Sequence, residues 1–294
     1  KVADIEGYYE NAKINRVYVD RVHVKKAFAE YTAAYNADDP KIKLKIDHTY
    51  RVAALCERIA KAAGMCAYDV ELAWLSGMLH DVGRFEQIKR YNTFSDADSV
   101  DHAKFGADLL FKDGLISTFL NGMVKCTGYK PGALEDRYSS DGVFLYDRLN
   151  KSDMEMLELA IRCHNMYRIP QGLNRREQAF CNVLRDADKV DIFKVNIDTP
   201  LEEIYNTTTE ELMKSDITDE VLEAFDEEHC ILKAIRRTPA DTVIGHVSLA
   251  YELVYDESVR ITVEQGYLAK LMHFHSDNEE TNRKMAMVRE KMDS

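Results

Sequence analysis

Leu79-His80-Asp81-Val82-Gly83-Arg84-Phe85 decides the reading of this chain. It closes the run Leu72-Ala73-Trp74-Leu75-Ser76-Gly77-Met78-Leu79, which is apolar on nearly every face. A helix apolar all round is a buried one. This one is expected to start near Asp69, with Gly83 releasing the chain after it. An imidazole and a carboxylate side by side at the end of a core helix cost free energy unless something pairs with them. The doublet therefore reads as chemistry.

Helical periodicity continues on both sides of it. Asp20 can cap a helix carrying Val24, Ala27, Phe28, Tyr31 and Ala34, which Asp38-Asp39-Pro40 is expected to end. Asp47 is read as the cap of the next, with Val52, Leu55, Cys56, Ile59, Ala60 and Ala63 on one face before Gly64. Past the doublet, Asp98 or Ser99 is expected to open a helix holding His102, Phe105, Gly106, Leu109 and Leu110. Gly106 follows His102 by one turn and leaves room for a close neighbour. Residues 121–152 break the pattern and read as a loop or insertion of the kind used as a lid or specificity element. Helices resume over Met154–His164 and Arg175–Lys194. In the tail, Thr238-Pro239 reads as a cap with Pro in the first turn, and Asp277 with Glu280 as a capping pair. The expected fold is all-α: a domain over 1–199 with an insertion near 121–152, and a helical extension over 200–294 packed on its core.

Composition narrows the class. The chain has 294 residues, 46% hydrophobic and 31% charged, with five prolines and thirteen glycines, as an ordinary globular protein does. No repeat and no apolar run of membrane-spanning length is found, so no membrane partner is expected. The chain starts at Lys1 without a Met, so a trimmed N-terminus is expected; no secretory leader is read in it, and the expected location is the cytoplasm. The six cysteines form no Cys-x-x-Cys pair and read as reduced, buried thiols. A formal net charge of −12 repels nucleic-acid polymers but admits a small phosphorylated molecule, because metals and a few arginines can reverse the field in one pocket.

Six side chains of metal-ligating type recur in a fixed order: His48, then His80 and Asp81, then His102, His164 and Asp188. Imidazole and carboxylate hold hydrolytic metal centres at neutral pH. Their strings are Asp47-His48-Thr49-Tyr50-Arg51-Val52, Asp101-His102-Ala103-Lys104-Phe105-Gly106, Ile161-Arg162-Cys163-His164-Asn165 and Asp186-Ala187-Asp188-Lys189-Val190-Asp191. With the doublet, over roughly residues 40–195, they resemble the HD-domain superfamily of metal-dependent phosphohydrolases. The resemblance implies a helical bundle in which His48, His80, Asp81 and Asp188 hold one ion. His102, His164 and the second oxygen of Asp81 would hold another. Asp188, and not Asp186, matches the family string. One departure stands out: the branch that hydrolyses cyclic dinucleotides reads His-His and then Gly-Tyr-Pro, whereas here Asn165 follows His164, with Ile169-Pro170 beyond.

What the resemblance implies chemically is a pair of divalent transition-metal ions, with Mn, Fe, Co, Ni or Zn suited to imidazole better than Mg alone. His80 and Asp81 would form the catalytic centre, with metal-bound hydroxide as nucleophile and a nucleotide or related metabolite as substrate. Arg51, Arg84 and Lys189 are the candidates to grip phosphate. Asp47, Asp186 and Asp191 read as helix caps or solvent-facing groups, and His23, His229, His246, His273 and His275 as ordinary core or surface histidines. Two rival readings stand beside the hydrolase. One is a mixed-valent di-iron oxygenase of the same superfamily; the other is a non-catalytic module that senses a nucleotide and signals through the helical tail.

Overall fold

Caps and breakers set the helix boundaries in the structure, a computed structural model that describes residues 16–120, 124–127, 144–146, 149, 151–199 and 207–293. Asp20 accepts from the His23 backbone N–H at 3.0 Å and opens α1 (Arg21–Thr32). Asp39 accepts from the Lys41 N–H at 2.8 Å, and Pro40 takes the first turn of α2 (Pro40–Ala62), where no N–H is required. The expectation that Asp38-Asp39-Pro40 closes one helix and Asp47 opens the next is corrected. Residues that cannot continue a helix can begin one, and Asp47 lies mid-helix, exposed and paired with Lys43 one turn back at 2.6 Å.

α3 (Ala67–Leu79) is buried along nearly its whole length. It lies against α2, and Gly77 makes the approach possible: a Cβ there would stand 2.6 Å from the Ala53 Cα. α4 (Val82–Tyr91) follows after only the doublet, so Gly83 sits inside a helix and does not release the chain. Its role is close approach. A Cβ on Gly83 would meet the His102 carbonyl oxygen at 2.4 Å and the Gly106 nitrogen at 2.7 Å, so Gly83 is the close neighbour for which Gly106 leaves room. α5 (His102–Ala107) is capped by Asp101, which accepts from the Lys104 N–H at 3.2 Å, and not by Asp98 or Ser99. It runs on into a π-helical turn, Asp108–Lys112. α6 (Ile116–Leu120), α7 (Lys151–Cys163) and α8 (Arg175–Asp198) follow.

The fold is all-α apart from one small antiparallel sheet that periodicity did not reveal. β1 (Arg16–Val19) pairs with β2 (Val124–Thr127), Arg16 opposite Thr127, and β2 pairs with β3 (Phe144–Tyr146), Val124 opposite Tyr146. Two of the three strands fall in the segment read as a loop or insertion over 121–152. The rest of that segment, up to α7 and apart from Leu149, lies outside the described residues. Strands of three or four residues are too short to show a period of two.

Contacts divide the chain into two units, Lys1–Leu184 and Arg185–Ser294. The division falls within α8, ahead of the boundary drawn after Thr199. In the first unit, Val52, Cys56 and Ile59 of α2 and Leu72, Leu75 and Met78 of α3 are completely buried. The second unit holds α9 (Thr209–Lys214), α10 (Asp219–Asp226), α11 (Pro239–Val247), α12 (Asp256–Gln265), α13 (Tyr267–Met272) and α14 (Glu279–Asp293). Its core gathers Phe193, Val221, Phe225, Ile244, Met285 and Val288. Thr238 and Asp241 form a capping box at α11, with Pro239 in the first turn as expected. At α14, Asn278 caps instead of Asp277, accepting from the Glu280 N–H at 3.0 Å. Cys56, Cys66, Cys163, Cys181 and Cys230 are buried thiols outside any disulfide. Among the described residues no helix is long and apolar enough to cross a membrane.

Candidate metal centre

Four imidazoles close around one carboxylate in the first unit. α2 carries His48, the α3–α4 junction His80 and Asp81, the first turn of α5 His102, and the end of α7 His164. All five are buried, at 4% exposure or less. Asp81 stands at the N-cap of α4 but makes no capping bond, which leaves its carboxylate to face inward. Oδ2 lies 3.5 Å from the Nε2 atoms of both His48 and His80. Oδ1 lies 3.5 Å from His102 Nε2 and 3.8 Å from His164 Nε2. Each oxygen thus has its own pair of imidazoles.

The far sides of the rings decide what the near sides can do. His80 Nδ1–H donates to the Gly77 carbonyl at 2.8 Å, and His164 Nδ1–H to the Ile161 carbonyl at 2.7 Å. His102 Nδ1–H donates to Asp96, 2.7 Å from Oδ2 and 2.9 Å from Oδ1. These partners accept only, so the proton of each neutral ring sits on Nδ1 and Nε2 carries the lone pair. Yet the Nε2 atoms of His102 and His164 are 3.0 Å apart, and those of His48 and His80 are 3.3 Å apart. Burial, helped by the Arg84 charge, lowers His102 to about 3, so its ring stays neutral at physiological pH. Where both Nε2 atoms carry lone pairs, as in His102 and His164, a cation beside them would relieve their repulsion. Neutral imidazoles with outward Nδ1–H donors and an ionised carboxylate are the donor set that suits a transition metal. The residues fit the ions their order implies, and His80, Asp81 and His164 lie within 4.8 Å of one another in ligand atoms.

Electrostatics keep Asp81 ionised. Burial pushes its carboxyl up, but the nearby positive charges, Lys45 foremost and Arg84 with it, overrule burial and hold it well below the usual carboxylate range. Lys45 reaches Oδ2 at 2.8 Å while resting over the Phe94 ring. Sequence reading missed it, although its place three residues before His48 puts it on the same face of α2. Asp96 was also missed, because it lies in the strap between α4 and α5, where no periodicity marks it. Besides His102, it accepts from Arg84 at 2.9 Å, Gln87 at 3.0 Å and Asn165 at 3.2 Å.

The HD-domain family model matches residues 46–195, just over half of the 294-residue chain. The chain belongs to the HD-domain family. That family is one of metal-dependent hydrolases, and its match runs past the division at Leu184 into the stretch bearing Asp188. No curated protein matches the chain. A solved structure described as a predicted HD superfamily hydrolase, from an uncultured Thermotogales bacterium, is 18% identical over 84% of this chain and 92% of that one, with a TM-score of 0.37, too slight a likeness to bear on function.

The remaining sites read from the sequence of this HD protein are distributed as follows. Arg84 lies 3.8 Å from Asp81 Oδ1 through Nε, which is buried and has no hydrogen-bond partner. One of its terminal nitrogens is already used, donating to Gln87, Asp96 and the Phe94 carbonyl. Arg51 is half-buried on α2, three residues past His48. Asp188 and Lys189 belong to the second unit's part of α8; Asp188 is half-buried. Lys189 is buried, and burial lowers it to about 8. Two expectations are corrected there. Asp186 is fully buried and accepts from the Val254 and Tyr255 N–H groups ahead of α12, and Asp191 is buried as well, so neither faces solvent.

Proposed function

We propose that this HD protein is a phosphohydrolase with two divalent transition-metal ions, acting on a small phosphate ester such as a nucleotide or related metabolite. One observation carries the reading: each oxygen of Asp81 lies within 3.8 Å of the Nε2 atoms of its own pair of imidazoles, a donor set that would hold two ions. His48 and His80 would hold one ion together with Oδ2, and the family order assigns it Asp188 as a further ligand. His102 and His164 would hold the other together with Oδ1. Divalent ions held by these residues would supply Lewis-acid polarisation of the phosphoryl group and would acidify a bound water.

The chain's own residues do the rest. Lys45 and Arg84 are cations at the rim of the Asp81 carboxylate, placed to hold phosphate oxygens, with Arg51 one turn beyond His48; Lys189 is the fourth candidate. The cluster is buried, so a phosphate there leaves bulk water behind and these charges act on it with little screening.

The test is metal analysis of protein prepared without chelators, followed by a phosphate-release screen over nucleotides and sugar phosphates with Mn, Co, Ni and Fe under nitrogen. Two ions per chain and anaerobic phosphate release are expected. A mixed-valent iron signal in electron paramagnetic resonance with oxygen consumption would replace the hydrolase with the oxygenase. Nucleotide binding without turnover on any metal would favour the sensing module.

A further inference from the structure

The two imidazole pairs around Asp81 are braced differently. His80 and His164 donate to backbone carbonyls of their own helices, three residues back. His102 has no such brace, because it opens its helix and has no turn before it. Its Nδ1–H goes to Asp96, on the strap between α4 and α5. The same carboxylate, 20% exposed in its side chain, also accepts from Arg84 and Gln87 of α4 and from Asn165, the residue after His164. Three donors besides the imidazole fix it in place.

We infer that Asp96 is a positioning residue that sets occupancy of the ion on the His102–His164 side, without ligating it. A carboxylate on Nδ1–H fixes the tautomer, stops the ring turning about its Cβ–Cγ bond and makes Nε2 a stronger donor. Through Asn165 it also steadies the end of α7 beside His164. Asp96, Asp101 and His102 lie close enough together to suggest a cation site of their own. The guanidinium of Arg84 and the amides of Gln87 and Asn165 already fill the Asp96 oxygens, so orientation is the better account. The inference rests on the binuclear reading.

The test titrates Mn²⁺ into chelator-treated wild-type and Asp96→Asn protein by calorimetry, with ¹⁵N NMR of the histidine side chains as a readout independent of activity. In Asp96→Asn one site should weaken by roughly 10- to 100-fold while the other keeps its wild-type affinity. The His102 signals should shift towards mixed tautomers, and Asp96→Glu should recover part of the loss. Two undiminished sites in Asp96→Asn overturn the positioning role and leave the binuclear reading standing. Equal weakening of both sites also overturns it, since Asp96 would then act through the fold as a whole. A single site in the wild type overturns the binuclear reading and this inference with it. Should Asp96→Asn fail to fold, Asp96→Ser, which also removes the carboxylate from His102 Nδ1–H, carries the same comparison, and two undiminished sites in it overturn the role.

Discussion

Asp81 is where the chemistry concentrates. Its two oxygens serve both imidazole pairs, so Asp81→Ala is expected to abolish binding of both ions and to take phosphate release to background, with helical circular dichroism retained. Turnover near the wild-type level in that variant would refute the metal mechanism. His102 leads to a pH prediction for the chelated protein. Its folded value of about 3 lies below the ordinary 6.5. Between those values the unfolded chain binds more protons than the folded one. The contribution is therefore complete above about pH 6.5 and is lost as pH falls towards 3, at a rate approaching about 1.4 kcal/mol per pH unit. Urea unfolding at pH 6.5 and 5.5 should show a smaller difference in His102→Gln than in the wild type, by about 1 kcal/mol. Identical pH dependence in the two would mean that this ring protonates as readily folded as unfolded. At this scale the residue types and their order announced the site. Lys45 and Asp96 did not announce themselves, because a lysine on a helix and an aspartate in a polar strap are the commonest things such segments contain.

Among the elements, the contact between α4 and α5 is the most exacting, since it sets His102 against the doublet. Gly83→Ala would drive a methyl into the His102 carbonyl and the Gly106 backbone, neither of which can rotate away. It is expected to destabilise the protein by about 1–3 kcal/mol and to weaken the ion on the His102–His164 side first. Thermal melts with and without Mn²⁺ check this; a smaller metal-induced rise in Tm than in the wild type is the expected sign. Unaltered melting and metal response would show that the two backbones have room to part. The caps show the limit of local reading. Asp20 and the Thr238-Pro239 pair act as their sequence suggests, because each satisfies N–H groups only a few residues away. Asp39-Pro40 was assigned to the wrong end of a helix, since a Pro both stops the segment before it and suits the first turn of the segment after it.

At the scale of the whole molecule, ions that bind only the folded chain stabilise it, by about 2.7 kcal/mol per site at a hundred times the dissociation constant. Hydrogen exchange read by mass spectrometry should locate that gain. Adding Mn²⁺ should slow exchange in the middle of α2, across the α3–α4 junction, in α5 and at the end of α7, while α10, α11 and α14 exchange as before. Uniform slowing throughout the chain would contradict ions held locally by the four imidazoles, Asp81 and Asp188.

By itself the sequence determined that the chain is helical, that α3 is buried, and that His48, His80, Asp81, His102, His164 and Asp188 form one ordered set. Those properties are local or nearly so: periodicity needs only a few turns, and the motif strings need only neighbours. Only the tertiary structure decided that each oxygen of Asp81 meets its own pair of imidazoles, that Gly83 admits a backbone and does not break a helix, and that Asp96 braces His102. It also brought β1 to β2 and β3 from far along the chain. These depend on contacts between segments tens of residues apart, which steric fit and burial select and which no local pattern records.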